Sequence, residues 1–401
     1  MNKKYELGLS LNYVSDWDYK DAIRELIQNG IDHATTTNNN DFDIYYKKET
    51  ETLLLCNKTS ILEKRSLLLG YSTKSNDNNL IGEFGEGYKV SLLVLTRLNK
   101  KVTIYNYGKN EIWTTRIVKS KRYEGEEVLN VYVKTEFDKI RSSEYSLVIA
   151  IENISIDEFE EIKKRTLLLN DDIEGLRADG YGSILLNDNL RGNIYVNGLY
   201  ITHIDNLKYG YDILPKHIKI GRDRDLINNY DILSKTFMIC LNTLSDEEFK
   251  ELIETNSLDT SNATEGVIQA NCDNNSMRKI SRIAEDLYIN FKEINGESSF
   301  PVDSDWLKKD MKDEYPSINP VTTTASKASL IRNFTSYYSD LNKIKVSKNP
   351  LELAIDDLEN WKAKNTNSLP ENEISELSEI INRIKLQINK NSNNYFGEAP
   401  F

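Results

Sequence analysis

The stretch that most restricts the fold is residues 18–34, DYKDAIRELIQNGIDHA. At about 100° per residue, Glu25, Asn29 and Asp32 fall within about 60° of one another, while Ile23, Ile27, Ile31 and Ala34 lie roughly opposite. The spacing predicts a helix over 18–34, entered through Ser15-Asp16-Trp17-Asp18 with the spacing of a capping box and ending before the polar tract Thr35 to Asn40. An ordinary surface helix could show the same two faces. This one also carries Asn29-Gly30 at its middle, two residues that cost helix stability against better formers. Such a cost implies that the polar face serves something besides helicity.

A second constraint is Gly82-Glu83-Phe84-Gly85-Glu86-Gly87-Tyr88-Lys89, a GxxGxG string directly before an apolar helix expected from Gly87 to about Leu98. Glycines let a backbone approach phosphate closely, and the following helix start offers unpaired N–H groups and a positive dipole end. The dinucleotide fingerprint needs a preceding strand, and Ser72 to Asn79 is a polar loop instead. The GxxxxGK[ST] string of a Walker loop is absent.

Taken together, Arg24 to Ala34 and Gly82 to Gly87 resemble the GHKL superfamily of gyrase, heat-shock chaperones, histidine kinases and MutL. Its first motif has Glu, Asn four residues later and Asp three after that, as in Glu25, Asn29 and Asp32. Ser72-Thr73-Lys74 is similar to the STK segment of MORC-type members. The resemblance implies an α+β fold: a Bergerat-type two-layer α/β sandwich, a mixed sheet covered by helices, over residues 1–155. A second α/β, transducer-like region over 156–260 and a mostly helical part over 261–401 follow. It also implies ATP and Mg²⁺ as cofactors, with Glu25 as general base for the attacking water and Asn29 as the Mg²⁺ ligand. Asp32 would hold local geometry or a water. Gly82, Gly85 and Gly87 would wrap the phosphates, with Lys74 and Lys89 as candidates for charge neutralisation. For Lys89 a solvated helix face is an equal alternative.

One position departs from the family pattern. Members have an Asp in a DxGxG string that accepts a hydrogen bond from the adenine amino group, where this chain has Asn57-Lys58-Thr59-Ser60-Ile61. Asn57 can present an oxygen to adenine, but also an NH₂, so base selectivity could be weaker or altered. A strand-end turn residue is the alternative. The family's small hydroxyl residue at a later strand start corresponds to Ser146, and a basic residue reaching the terminal phosphate to Lys219, Arg222 or Arg224, which could equally be self-paired surface charges.

Strands are expected at Asp43 to Lys47, Thr52 to Cys56, Val102 to Tyr107, Glu111 to Val118, Val128 to Lys134 and Ser146 to Ile151, with a short helix at Ser60 to Leu69. Further on, a helix is expected over 156–170, then strands at Ile184 to Leu186 and Gly192 to Ile201 with an Asn197-Gly198 hairpin. Another helix is expected near Met277 to Ile294. Ile374, Leu377, Ile381, Ile384 and Ile388 keep seam spacing, and Leu351, Ile355, Leu358 and Trp361 form a shorter stripe, which reads as a helical hairpin.

The net charge of -12 argues against a chain that coats nucleic acid non-specifically, though a local basic groove is compatible with it. Cys56, Cys240 and Cys272 are far apart without paired spacing, which predicts reduced thiols. His33, His203 and His217 are read as lacking carboxylate or cysteine company, which speaks against catalytic or ligand roles. No apolar run is long enough to span a bilayer and no leader-like start follows Met1, so a cytoplasmic protein without membrane partners is expected.

The function these observations imply is a Mg²⁺-dependent ATPase acting as a conformational switch or clamp on a macromolecular client, DNA or protein, with room for a homodimer formed on nucleotide binding. A nucleotide sensor without turnover and a GHKL-type protein kinase are the alternatives. The lack of a phospho-acceptor histidine region before the nucleotide domain and the long C-terminal extension count against a kinase.

Overall fold

The computed structural model describes residues 2–37, 40–68, 86–135, 144–170, 173, 177–218, 228–346, 350–365 and 370–394. The chain is α+β and divides into two compact units, one of Met1–Leu252 with Asn256–Asn262, the other of Ile253–Thr255 with Ala263–Phe401.

The first unit opens with β1 (Asn2–Ser10), whose Tyr5, Leu7 and Leu9 alternate inward, then α1 (Tyr19–Thr37). The hairpin β2 (Phe42–Lys47) and β3 (Thr52–Asn57) precedes α2 (Gly87–Arg97), and β4 (Lys101–Asn106), β5 (Glu111–Lys119), β6 (Glu127–Thr135) and β7 (Leu147–Glu152) complete the sheet. The strand order is β1-β6-β5-β4-β7-β3-β2, with every neighbouring pair antiparallel. The mixed sheet expected from the sequence is therefore corrected. The neighbours that follow one another in the chain, β2 and β3, β4 and β5, and β5 and β6, pair as antiparallel hairpins.

Ile23, Leu26 and Ile27 of α1 and Leu92 to Leu95 of α2 are buried in one core with Leu53, Ile104, Trp113, Val131 and Ile151 of the sheet. Each such side chain contributes roughly 1.5–3 kcal/mol by leaving water. The cap of α1 lies three residues later than Ser15: Asp18 Oδ1 accepts the Lys20 and Asp21 N–H groups at 2.7 and 3.2 Å, and Asp18 N–H donates to Asp21 Oδ2 at 3.2 Å. Only a 3-10 turn at Lys64–Leu67 is formed where a short helix was expected.

A second sheet in the same unit follows α3 (Ile156–Lys164), which starts on a Ser155/Glu158 capping box. It is built from β8 (Arg177–Ala178), β9 (Gly182–Leu185), β10 (Asn193–Val196), β11 (Leu199–His203) and β12 (Gly210–Ile213), ordered β11-β10-β12-β9-β8 with β10 and β12 parallel. Asn197 and Gly198 take φ of 50° and 78°, the two positive values of a type I′ hairpin turn. The helices α4 (Asn229–Thr243) and α5 (Asp246–Glu254) come next. The beginning of α3 is tied to the first sheet, because Lys100 Nζ donates to both carboxylate oxygens of Glu158 at 2.7 Å and to the Asn153 carbonyl at 2.6 Å.

The other unit holds α6 (Glu265–Asn271), α7 (Asn274–Asn295), β13 (Ser299–Val302), α8 (Asp305–Glu314), β14 (Asn319–Thr322), α9 (Ala325–Phe334), α10 (Tyr337–Val346), α11 (Pro350–Asn365) and α12 (Glu371–Asn394). β13 and β14 form a parallel pair around α8, a strand feature that the helical expectation for 261–401 did not include. In the α11/α12 hairpin, Ile355 and Ile381 are buried against Leu358, Leu377 and Ile384, while Trp361 is exposed. Among the described residues no helix is long and apolar enough to cross a membrane.

Arg97, in the last turn of α2, holds the loop between β1 and α1. Its guanidinium donates to the carbonyls of Leu11, Tyr13, Val14 and Trp17 at 3.0–3.2 Å. Val14 takes φ of 47°, an unfavourable region for a β-branched residue, so this clamp holds a strained segment in place. Replacing Arg97 by Ala removes four charge-assisted bonds, and we expect a loss of about 2–3 kcal/mol in unfolding free energy by urea titration. An Arg97→Lys variant recovers little, because an ammonium cannot reproduce the planar fork.

Candidate functional site

The polar face of α1 is not wet. Glu25, Gln28 and Asp32 are buried together with the apolar face, and Asp32 is fully so. Buried carboxyl groups on a helix are costly, and here they lie where α1 packs against α2. The tightest point of that packing is Gly87 at the first turn of α2. A Cβ at Gly87 would collide with Oε2 of Glu25. Gly30 is equally closed, because a Cβ there would enter the Phe42 ring. A side chain at position 30 would thus push the Phe42 ring aside, and one at position 87 would move the Glu25 carboxylate from its place.

Asn29 Nδ2 donates to the Glu25 carbonyl at 2.8 Å, which fixes the amide with its nitrogen toward the helix backbone and its oxygen turned the other way. Lys89 is fully buried one half-turn past Gly87, so the solvated-helix alternative does not apply to it. Burial holds its ammonium below the usual lysine range, and the nearby Glu86 carboxylate acts against that shift. Glu86 is reached by the Tyr13 hydroxyl, which donates to its Oε2 at 3.4 Å. The loop clamped by Arg97 thus meets both ends of α2.

Asn57 closes β3 and is buried. Its Nδ2 donates to the Gly30 carbonyl of α1 at 3.3 Å and to Asp41 Oδ2 at 3.2 Å. Ser146 lies next to it, its N–H donating to the Lys58 carbonyl at 3.2 Å just before Leu147 pairs with Asn57. The structure thus brings Gly87 against Glu25 and Asn57 against Gly30 of α1, the helix that also carries Asn29 and Asp32, and it buries Lys89 in the first turn of α2. Ser72, Thr73, Lys74, Gly82 and Gly85, and also Lys219, Arg222 and Arg224, lie outside the described residues.

Sequence reading missed Asp41, a buried carboxyl whose partners are assembled only by the fold. It also took His33 and His203 to lack carboxylate company. His33 Nε2 lies 3.5 Å from Asp41 Oδ2, and His203 Nε2 lies 3.2 Å from Asp205. All three cysteines are free. Burial pushes the Cys56 thiol, next to Asn57, up to about 12, which leaves it unreactive. Among the described residues no group of three or more His, Cys, Asp and Glu could hold a metal by itself.

Residues 157–246, which contain the second sheet, match a family model described as the Mycoplasma pneumoniae MPN635 N-terminal domain. An "Uncharacterized protein" of Mycoplasma pneumoniae (strain ATCC 29342 / M129 / Subtype 1) is 26% identical over 212 residues, covering 52% of this chain and 83% of that protein. Neither description states an activity.

The burial of Lys89 gives a direct check. A base whose folded pKa is depressed weakens the fold while it carries its proton, and that penalty fades as pH rises from the folded pKa toward 10.5. A Lys89→Met variant keeps the stem without the charge. We expect it to match or exceed wild type in unfolding free energy at neutral pH, by up to about 1–2 kcal/mol, and its advantage to shrink toward pH 10.5. A variant less stable than wild type at every pH would show that the ammonium is a net structural tie.

Proposed function

We propose that this chain binds ATP with Mg²⁺ at the junction of α1 and α2 and hydrolyses it, acting as a nucleotide-driven switch or clamp of GHKL type. The observation that carries this reading is the closed contact between the Glu25 carboxylate and Gly87. It joins an acid-and-amide helix face to the helix start that follows a glycine loop, two features far apart in the chain.

Each residue then has a definite task. Glu25, buried and held against Gly87, takes the proton of the attacking water. Asn29 offers an amide oxygen, a hard donor, because its nitrogen is committed to the Glu25 carbonyl. That donor chemistry fits Mg²⁺, which would neutralise charge on the phosphates when bound. One protein oxygen is enough, since Mg²⁺ keeps waters and phosphate oxygens as its other ligands. Asp32 fixes the helix face, and Lys89 supplies positive charge at the start of α2, where the backbone N–H groups also favour phosphate. Ser72, Thr73, Lys74, Gly82 and Gly85 keep the phosphate-loop roles that the resemblance gives them. Asn57 accepts from the adenine amino group.

The Lys100–Glu158 tie carries changes at α1 and its sheet toward the second sheet, because Lys100 also lies 5.6 Å from the Tyr19 ring at the start of α1. A homodimer formed on nucleotide binding, a DNA or protein client and a cytoplasmic location belong to the same reading.

Phosphate release from purified protein with ATP and Mg²⁺ tests it. Glu25→Ala should lower turnover by about 10²-fold or more with nucleotide binding retained. Binding without turnover in the wild type would favour a nucleotide sensor, and turnover unchanged in Glu25→Ala would remove Glu25 from the chemistry.

A further inference from the structure

The turn after β3 lacks the glycines of the DxGxG string, yet no residue from 57 to 62 has a positive φ, so nothing in this turn requires them. Asp41, placed just before β2, holds the turn instead. Its backbone carbonyl accepts the Lys58 N–H at 2.9 Å, and its Oδ1 accepts the Thr59 N–H at 2.9 Å. Its Oδ2 accepts from Asn57 Nδ2, which also donates to the Gly30 carbonyl. His33 Nε2 lies beside the same Oδ2 and 3.0 Å from Thr59 Oγ1.

Both partners of Asn57 Nδ2 are acceptors. Turning the amide over would set its oxygen against a carbonyl and a carboxyl oxygen in a buried place, at a cost of about 1–3 kcal/mol for each lost bond. The Asn57 amide therefore has one orientation, with its oxygen directed away from Asp41 and Gly30. A carboxyl at position 57 would face that of Asp41 across the same contact, two acids that could pair only by sharing a proton. An amide at 57 is the residue that Asp41 permits.

We propose that Asp41 is a positioning residue for base selection: by holding the Asn57 NH₂ it leaves only an acceptor for the ligand, so the site selects a base with an exocyclic amine over one with a carbonyl at that edge. The proposal rests on the nucleotide-site reading above. It explains how an amide serves where a carboxylate is expected, since the ambiguity of a free Asn is removed by its neighbour.

The test compares binding of ATP and ITP, which differ in an amine against a carbonyl at base position 6, to wild type, Asp41→Asn and Asn57→Ala, together with side-chain amide NMR of the nucleotide-free wild type. In wild type the Asn57 NH₂ should exchange slowly with solvent, and ATP should bind about tenfold or more tighter than ITP. An Asn at position 41 that accepts from Thr59 through its oxygen presents its own NH₂ to Asn57, which removes one of the two acceptors that hold the Asn57 amide and leaves the Gly30 carbonyl as the other. The Asp41→Asn preference for ATP should then fall toward unity. Asn57→Ala should bind both nucleotides alike, which keeps the test in force if Asp41→Asn does not fold. A freely exchanging Asn57 NH₂, or an ATP preference unchanged in both variants, overturns the proposal. Failure of the wild type to bind either nucleotide with a protected NH₂ overturns base selection and identifies the nucleotide-site reading as the failed premise.

Discussion

The packing of α1 against α2 at Gly87 is the constraint on which the rest of the site depends. A helix that buries Glu25, Gln28 and Asp32 along with its apolar face exposes little of its middle to water. The α2 backbone comes so close at Gly87 that a methyl group there would displace the Glu25 carboxylate from where it lies. The sheet side imposes the same demand at Gly30, which admits the Phe42 ring and offers its carbonyl to Asn57. A glycine inside a helix, costly by propensity, is thus explained by the Phe42 ring, which fills the space a Cβ would take.

Around this junction the polar groups are positioned by one another rather than by solvent. Arg97 fixes the loop whose Tyr13 reaches Glu86, and Asp41 fixes the turn that carries Asn57. Buried networks of this kind specify one arrangement because each unmade bond is expensive. They also make the site rigid where a ligand would need placed donors and acceptors, and the Lys100–Glu158 tie extends that rigidity to the start of α3.

Much of the first unit was legible in the sequence because local signals agreed with the fold. The period of α1, the apolar run of α2 and the alternating strands from Lys101 to Glu152 fall where the spacing indicates. The Asn197-Gly198 turn does so too, since its positive φ values admit few other residues. β1 was overlooked although Tyr5, Leu7 and Leu9 alternate, because a strand so near the start has no turn signal before it. The cap at Asp18 was assigned to Ser15, since both spacings satisfy the same pattern. What the sequence could not reveal is long-range. The burial of Lys89, the all-antiparallel sheet, the carboxylate beside His33 and the role of Asp41 arise from contacts between separate segments. Glu25 and Gly87 stand out in the sequence by helix spacing and the glycine string, whereas Asp41 belongs to no motif.

Hydrogen exchange of the full chain with and without a non-hydrolysable ATP analogue and Mg²⁺ addresses the central claim most directly. Peptides covering residues 25–33 of α1, 57–60 after β3 and 86–90 at the start of α2 should gain protection together. Protection confined to other parts of the chain, or none at saturating analogue, would contradict a nucleotide site at the junction of α1 and α2.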